Sequence, residues 1–335
     1  MVEFPFVSIV IPTRNEESYI EKCLDACLSQ TYPSEKIEII VVDGMSQDRT
    51  KEIVKQYTQN YKNIKLLDNP KKITPSAMNI GIKESKGDIV IKVDGHSKIS
   101  NNYVEKSVEK LSTNDEVWAV GGPIETIGKS RIAEGIAYAM SSRFGVGNSL
   151  FRTLKDNQKD VFVDTVPFAA FPRWVFDRVG LFDEEFVRTQ DYEMNLRIRK
   201  MGGKILLTPA LRSIYFSRRN LKGLFRQYFQ YGFYKVKVIK KHKIPIGVRY
   251  LIPPAGLVLF LVSLLVGLLT NSFLLPICLL CLYVSILFLG AGISLIKNFK
   301  REKLLLPVIF TILHLSFSLG FLSGLFRDSL LQEKK

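Results

Sequence analysis

Cysteine is scarce in this chain of 335 residues, and its four cysteines do not indicate a metal site. Cys23 and Cys27 lie one helical turn apart, as core thiols of a helix in a reducing compartment do. Cys278 and Cys281 lie inside an apolar stretch with no histidine or second cysteine pair nearby. Since a structural zinc site needs four such ligands, the cysteines argue against zinc and carry little other information.

Charged residues are absent from three long stretches of the last third, residues 251–270, 272–296 and 304–326. A helix needs roughly 20 apolar residues to cross the hydrocarbon core of a bilayer, and each stretch is long enough. A buried hairpin of a soluble protein is the alternative, but buried soluble helices rarely stay apolar on every side for so long. We therefore predict three transmembrane helices within residues 250–326, with the chemistry of the preceding region performed at a membrane surface.

The N-terminal residues lack the basic segment and small-residue cleavage site of a signal peptide, which predicts a cytosolic N-terminal domain. Basic residues cluster before the first apolar stretch and between the second and the third. They are Lys235, Lys237, Lys240, Lys241, Lys243 and Arg249 in the first cluster, and Lys297, Lys300, Arg301 and Lys303 in the second. The positive-inside rule places these loops in the cytoplasm and predicts a multi-pass protein of the cytoplasmic membrane. The short polar tail, 327–335, carries Arg327, Lys334 and Lys335, so a re-entrant third segment is an alternative to a full crossing.

The net charge of +15 suits either nucleic acid or an anionic membrane. No nucleic-acid-binding motif is present, and much of the basic excess lies beside the apolar stretches. Anionic lipid headgroups are the nearer partner there. We predict membrane lipid, and no nucleic acid, as a partner.

Apolar runs alternate with helical periodicity in the first hundred residues. Runs at 7–12, 37–43 and 88–94 have the composition of buried strands, and helical patterns at 16–30, 48–57 and 74–85 lie between them. This alternation predicts an α/β fold with a doubly wound, mostly parallel sheet. Residues 125–160 are poorly periodic, and we interpret them as an insertion at the active site.

Polar residues follow three of the predicted strands, where such sheets bind their ligands. They are Pro12, Thr13, Arg14, Asn15 and Glu16 after the first strand, Asp43 and Ser46 after the second, and Asp94 and His96 after the third. A lone aspartate after a strand is usually a helix cap or turn residue. Three strands that carry polar groups to one edge indicate a binding site instead.

The Asp94-Gly95-His96 sequence suggests a site for Mg²⁺ or Mn²⁺. These ions prefer oxygen ligands and commonly bind substrate phosphates with one or two protein carboxylates. Histidine suits Mn²⁺ as a further ligand, although His96 as a simple turn residue is the alternative. A metal on a diphosphate stabilises the charge of a leaving group.

Two carboxylates, Asp191 and Glu193, stand at the start of a predicted helix. Side chains two residues apart on a helix diverge, so we expect separate roles. One can act as a general base, while the other caps the helix or pairs with Arg197. An acidic helix N-terminus that interacts with the helix dipole is the alternative.

The segment 220–241 has an aromatic and aliphatic stripe with lysines at its end, which predicts an interfacial helix within a linker at 218–249. An ordinary helix packed on the domain is the alternative.

Six segments in order resemble the family 2 glycosyltransferases, inverting enzymes that have a Rossmann-like GT-A fold and use nucleotide-diphospho-sugars. They are residues 7–17, 39–50, 76–97, 171–186, 190–205 and 218–232. The resemblance covers most of residues 1–235 and is greatest to the succinoglycan-biosynthesis type of exopolysaccharide enzyme. It implies a glycosyltransferase domain at 1–217, ahead of the linker, the three spans and the polar tail.

The resemblance also implies a role for each candidate residue. Nucleotide binding would fall to Pro12, Thr13, Arg14, Glu16, Asp43, Ser46 and Asp94; Asp94 and His96 would hold the metal; Asp191 would be the base; Arg218, Gln227 and Tyr231 would lie on the acceptor and membrane side. Two features depart from the family pattern: His96 replaces the usual second aspartate, and a Gln-x-x-Arg-Trp segment is absent.

Three spans are too few for the channel of a polymer-secreting synthase. With the resemblance, this implies transfer of one sugar, from a UDP-sugar, to a polyprenyl-diphosphate-linked glycan. Transfer to polyprenyl phosphate itself, which is already anionic and needs no base, is one alternative. A catalytically silent subunit that binds lipid-linked glycans is the other.

Overall fold

The structure is a computed structural model that describes residues 4–147, 149–154, 158–245 and 247–327. The chain forms two compact units, which we describe separately. The first contains Met1–Glu125 and Leu150–Tyr215, and the second contains Thr126–Ser149 and Phe216–Lys335. Apart from Arg327, the predicted polar tail lies outside the described residues.

The strands, in chain order, are β1 (Val7–Thr13), β2 (Ile37–Asp43), β3 (Ile64–Asp68), β4 (Ile89–Lys92), β5 (Ser97–Ile99), β6 (Val117–Gly121), β7 (Ile124–Ile127), β8 (Val161–Phe162), β9 (Ala170–Pro172), β10 (Lys204–Leu207) and β11 (Ser213–Phe216). A large sheet has the order β3-β2-β1-β4-β9-β6-β10-β8, and a smaller one has the order β5-β11-β7. The strands β1 to β4 pair in parallel. The sheet is parallel-rich rather than wholly parallel, because β9 runs antiparallel to β4 and β6.

The helices of the first unit are α1 (Ile20–Leu28), α2 (Thr50–Asn60), α3 (Thr74–Glu84), α4 (Tyr103–Ser112), α7 (Leu150–Thr153), α8 (Trp174–Val179) and α9 (Gln190–Lys200). Those of the second unit are α5 (Arg131–Met140), α6 (Arg143–Val146), α10 (Leu221–His242), α11 (Val248–Thr270), α12 (Leu274–Lys297) and α13 (Leu306–Phe326). The α/β class and the doubly wound arrangement predicted from the sequence are confirmed.

The middle strands are buried on both faces, as their unbroken valine and isoleucine runs predict. Every residue of β1 and β2 is buried. Helix α3 lies so close to this layer that a Cβ on Gly81 would be 2.3 Å from Cγ1 of Val10. Glycine is therefore required where α3 crosses β1, and this packing fixes the sheet edge at which the polar loops emerge.

The stretch 125–160, interpreted from the sequence as an insertion at the active site, contains the helix α5. At its N-terminus the Ser130 side chain accepts a hydrogen bond from the Ala133 N–H at 3.3 Å. Residues 126–149 belong to the second unit, where a Cβ on Gly135 would lie 2.9 Å from Cδ1 of Ile309 on α13. The buried face of α5 consists largely of alanine and glycine, and these small residues allow the close approach to α13.

The three apolar stretches form three helices that are long and apolar enough to cross a membrane: Val248–Thr270, Leu274–Lys297 and Arg301–Phe326, the last of which includes a 3₁₀ turn before α13. Large apolar side chains on α11 and α12 are exposed, among them Leu269, Leu274 and Phe288. Such surfaces suit contact with lipid tails.

Helix α10 packs along α13 within the second unit. A Cβ on Gly320 would lie 1.9 Å from the carbonyl oxygen of Phe229, and one on Gly232 would lie 2.2 Å from that of Phe317. Phe233 and Val236 of α10 are buried. The predicted interfacial helix is thus packed against α13, and the five consecutive residues 232–236 are all buried. The exposed residues of α10 lie near its two ends, and the basic ones Lys240 and Lys241 at its C-terminal end suit an anionic lipid surface.

Candidate active site

The loop after β1 is cross-linked to the loop after β2. The backbone N–H of Asn15 donates to Oγ of Ser46 at 2.9 Å, and the N–H of Gln47 donates to Oδ1 of Asn15 at 2.8 Å. Asn15 and Met45 both have φ of +56°, a left-handed conformation that few side chains adopt without support. These bonds give the carboxyl edge of the sheet a fixed rim.

Asp43 is fully buried beneath this rim and orders it. Its Oδ2 accepts the Ser46 N–H at 2.9 Å, and its Oδ1 accepts the Ser46 hydroxyl. Both residues therefore lie where the sequence predicts a nucleotide contact, and the contact seen between them shapes the loop. Their role in nucleotide binding stays a prediction.

The remaining residues of the β1 loop are placed differently from one another. Pro12 and Thr13 end the strand and are buried, while Arg14 is exposed. The N–H of Glu16 donates to Oγ1 of Thr50 at 2.7 Å, which fixes the start of the turn that leads to α1. The Glu16 carboxylate is directed at His96 on the loop after β4.

His96 is held by Glu16 in one orientation. Its Nδ1 lies 2.8 Å from Oε1 of Glu16, and its ring contacts Tyr215 edge-on with centroids 5.1 Å apart. An ionised carboxylate can only accept a hydrogen bond, so in the neutral ring Nδ1 is the N–H donor and Nε2 has the lone pair. This arrangement, an imidazole oriented by a carboxylate, is the one that metal-binding histidines commonly have.

Asp94 and Asp191 are joined by a lysine that our sequence interpretation missed. The side chain of Lys92 is 2% exposed, and its Nζ lies 3.2 Å from Oδ1 of Asp94 and 2.9 Å from Oδ2 of Asp191. The two aspartates remain partly exposed, at 24% and 28%. The one available signal was a charged residue inside the apolar run of β4, which ends at Lys92 rather than at Asp94.

The two carboxylates at the start of α9 have separate roles, as predicted. Glu193 is buried and pairs with Arg197, with 2.8 Å between Oε1 and Nε and 3.0 Å between Oε2 and Nη2. Arg197 also donates to the backbone carbonyls of Val179 and Leu181. Glu193 therefore fixes the helix to the chain before it, and Asp191 is the carboxylate left at the partly open edge.

The surroundings shift the pKa values of the two aspartates in opposite directions. Burial raises the pKa of Asp94, but Lys92 and then His96 outweigh burial, so that the pKa is lowered. Burial raises the pKa of Asp191, the charge of Asp94 adds to this, and Lys92 only partly opposes it. Asp94 is thus suited to remain an anion, and Asp191 is suited to accept a proton.

The residues present fit a divalent ion that takes most of its ligands from a bound diphosphate. Among the described residues, no group of three or more histidine, cysteine or acidic side chains forms a complete metal site. Mg²⁺ and similar ions need only one or two protein carboxylates when phosphate oxygens supply the rest. Asp94 and His96 would be those ligands, with Glu16 orienting the imidazole.

The predicted acceptor-side residues lie in the second unit. Arg218 follows β11, while Gln227 and Tyr231 are on α10, where Nε2 of Gln227 donates to the Tyr231 hydroxyl at 2.9 Å. Their role toward an acceptor stays a prediction.

Comparison with known proteins identifies the family of the chain. The model of the family described as glycosyl transferase family 2 matches residues 8–181. The chain belongs to this family. It is therefore a glycosyltransferase with a GT-A-like fold, as the sequence resemblance implied.

Two curated relatives match most of the chain. A dolichyl N-acetyl-α-D-glucosaminyl phosphate 3-β-D-2,3-diacetamido-2,3-dideoxy-β-D-glucuronosyltransferase of Methanococcus voltae is 31% identical over 331 residues, which are 97% of this chain and 98% of the relative. The succinoglycan biosynthesis protein ExoA of Rhizobium meliloti is 32% identical over 250 residues, 74% of each chain. This family 2 glycosyltransferase thus has relatives named for lipid-linked and exopolysaccharide glycans.

Solved structures share the fold at low sequence identity. The mannosyltransferase PcManGT of Pyrobaculum calidifontis, in complex with GDP-Man and Mn²⁺, has a TM-score of 0.60 at 16% identity, and the match covers 97% of this chain and 88% of that one. GalNAc-T7 with UDP, GalNAc and Mn²⁺ has a TM-score of 0.54 at 18% identity, with coverage of 72% and 48%. At such identities the likeness concerns the fold.

Proposed function

We propose that this glycosyltransferase transfers one sugar, with inversion, from a UDP-sugar to a glycan carried on a polyprenyl diphosphate. The observation that carries the proposal is the pair of partly exposed carboxylates, Asp94 and Asp191, held at one sheet edge by a buried lysine. One carboxylate suits the diphosphate side of the reaction, and the other suits a reacting hydroxyl.

The donor would lie along the carboxyl edge of β1, β2 and β4. The rim formed by the Asn15, Ser46 and Gln47 bonds would receive the nucleoside, and the exposed Arg14 is the neighbour of Asn15 in the chain. Asp94 and His96 would hold Mg²⁺ or Mn²⁺, which would stabilise the negative charge of the departing diphosphate. Two solved structures of the same fold contain Mn²⁺ with GDP-mannose or UDP, which supports a divalent ion here.

The proposed chemistry is a single displacement. Asp191 accepts the proton of an acceptor hydroxyl, and that oxygen attacks the anomeric carbon of the sugar. The bond from this carbon to the diphosphate oxygen breaks on the opposite face, and its electron pair leaves with the nucleoside diphosphate. One carbon–oxygen bond forms as one breaks, so the configuration at the carbon inverts.

The acceptor is inferred from the C-terminal part of the chain. Three helices able to cross a membrane follow a helix whose last residues are basic, and the relative from Methanococcus voltae is named for a dolichyl phosphate-linked sugar. A lipid-linked glycan presents its terminal hydroxyl near the headgroups, and lysines there attract anionic lipid. We place the protein in the cytoplasmic membrane with its catalytic unit in the cytosol.

The test is transfer into lipid. Membranes that contain the full-length protein are incubated with labelled UDP- and GDP-sugars, and the label in lipid extracts is measured. Signal from one UDP-sugar that is absent with Asp191→Asn supports the proposal. Transfer that persists in Asp191→Asn would indicate an acceptor that is already anionic, polyprenyl phosphate. Absence of transfer and of donor hydrolysis with every sugar would favour a silent binding subunit.

A further inference from the structure

Lys92 is a buried cation that takes part in no bond-forming, bond-breaking or proton-transfer step of the proposed displacement. It is 1% exposed at the end of β4, between strands β1 and β9 of the large sheet. A lysine is rarely buried without paired charges, because removing an ammonium group from water is costly. Its position beneath both reactive carboxylates therefore calls for an explanation.

The two carboxylates have unequal support. Asp94 has Lys92 as a partner and would gain a metal ion with the donor. Asp191 lies 99 positions from Lys92 in sequence, and among the described residues only the Lys92 side chain hydrogen-bonds its carboxylate. The position of this proposed base thus depends on one ammonium group.

Lys92 itself is firmly anchored. Its backbone N–H donates to the carbonyl oxygen of Ala169 at 3.0 Å, and it pairs in parallel register with Val10 of β1. Asp191 lies in the first turn of α9, two residues after Thr189, and the Glu193–Arg197 pair anchors this helix. Lys92 and Asp191 thus belong to two separately anchored elements, and the ammonium group joins the side chains.

We infer that Lys92 is a positioning residue that sets the separation between the donor-binding carboxylate Asp94 and the base Asp191. The inference rests on the proposed function and adds a residue to it. An inverting displacement needs the attacking hydroxyl and the leaving diphosphate on opposite faces of one sugar carbon. The distance between the groups that hold them is then critical, and a misplacement of about 1 Å can cost about 10²-fold in rate.

The first test replaces the lysine with an apolar residue of similar length, Lys92→Met. We expect turnover to fall by about 10²-fold. UDP affinity in the presence of Mn²⁺ should stay within about threefold of wild type, since an interaction confined to the reacting state changes turnover rather than binding. Turnover equal to wild type would overturn the inference. Should this variant fail to fold, Lys92→Gln, which keeps polar donors, takes its place.

A double-mutant cycle separates positioning of the base from general damage. In an Asp191→Asn background the base is already absent, so adding Lys92→Met should change the residual turnover by less than about threefold. A further loss as large as in the wild-type background would mean that Lys92 acts elsewhere, and would overturn the inference.

Lys92→Arg tests whether another cation can replace the lysine. Its turnover should be at least about tenfold higher than that of Lys92→Met, because a guanidinium group can also bridge two carboxylates. A folded, UDP-binding Lys92→Arg variant as slow as Lys92→Met would contradict the inference.

The matched control is Lys65→Met. Lys65 also pairs with a buried carboxylate of the sheet, with 3.2 Å between its Nζ and Oε2 of Glu38, but it is not in the candidate site. We expect the turnover of Lys65→Met to equal that of wild type. If wild-type protein shows no transfer at all, the proposed function fails. If wild type transfers sugar and Lys92→Met does so equally, only the role of Lys92 fails.

Discussion

Glu16 and His96 are joined by a contact of 2.8 Å between Oε1 and Nδ1, which ties the loop after β1 to the loop after β4. Through this contact the acidic residue of the first loop acts on the imidazole rather than on solvent. The sequence places Glu16 among the nucleotide-binding residues, which stays a prediction, and the structure adds the contact with His96.

Glu16→Gln should weaken binding of Mn²⁺ in the presence of UDP by about 10-fold, because carboxylates that orient a ligating histidine typically contribute 10–100-fold to metal affinity. Calorimetric titration of Mn²⁺ measures this directly. Glu17→Gln is the control, since the Glu17 carboxylate accepts the backbone N–H of Arg49, on the loop after β2, at 3.1 Å. Equal Mn²⁺ affinity in Glu16→Gln and wild type would contradict a metal role for His96.

Asp94→Ala should abolish transfer and the response to added Mn²⁺ or Mg²⁺. Asp94 is the carboxylate whose pKa is lowered by Lys92 and His96 despite burial, so it stays ionised for a metal ion. His96→Ala should be milder and should change which of the two ions supports more activity. Near-normal transfer by Asp94→Ala, with an unchanged metal response, would show that the assigned site is wrong.

Asp191→Asn should lower turnover by about 10²–10⁴-fold while leaving UDP affinity close to wild type, as expected for a general base. Glu193→Gln should instead lower the unfolding temperature, because Glu193 is 1% exposed and holds the Arg197 guanidinium. Turnover and thermal unfolding of both variants are compared. The opposite ranking would move the base to Glu193.

The acid limb of the pH profile of kcat/KM should have an apparent pKa above the ordinary range for aspartate. Burial and the charge of Asp94 raise the pKa of Asp191, so its carboxylate takes up a proton at a higher pH than a free aspartate does. Activity is then lost as the pH falls through this raised value. The profile is measured at saturating Mn²⁺, with Asp191→Asn as the control in which this limb should vanish.

Gly320→Val should separate α10 from α13, because a Cβ at this position meets the carbonyl oxygen of Phe229 at 1.9 Å. Overpacking of this kind costs about 1–3 kcal/mol. Gly292→Val on α12 is the matched control, since a Cβ there meets no heavy atom within 4 Å. Thermal unfolding in detergent should distinguish the two variants, and equal stability would contradict the close crossing of the helices.

The sequence predicted best where one local rule acts alone. The strand Ile37–Asp43 begins and ends where predicted, since its apolar run stops at turn residues. Pairing of Glu193 with Arg197 followed from helical spacing, and the structure confirms it. Polar groups after three parallel strands do meet at one edge, as the rule for such sheets requires.

What depends on distant parts of the chain could not be predicted. Lys92 bridges a strand and a helix far apart in sequence, and no periodicity reports such a pair. Nothing in the sequence around Glu16 distinguishes it from other loop residues. It contacts His96 only because the fold brings the ends of two strands together. Helix α5 was also missed, and it packs on α13, which lies far away in the sequence.

The pairing of α10 with α13 has a consequence for biosynthesis. His242 ends α10, and its partner helix is complete only at Phe326, near the end of the chain. At synthesis rates of about 5–20 residues per second, α10 waits roughly 4–17 s for that partner. During this interval Phe233, Val236 and their neighbours have no α13 to cover them, so the nascent chain carries an aromatic surface that only membrane or a chaperone can shield.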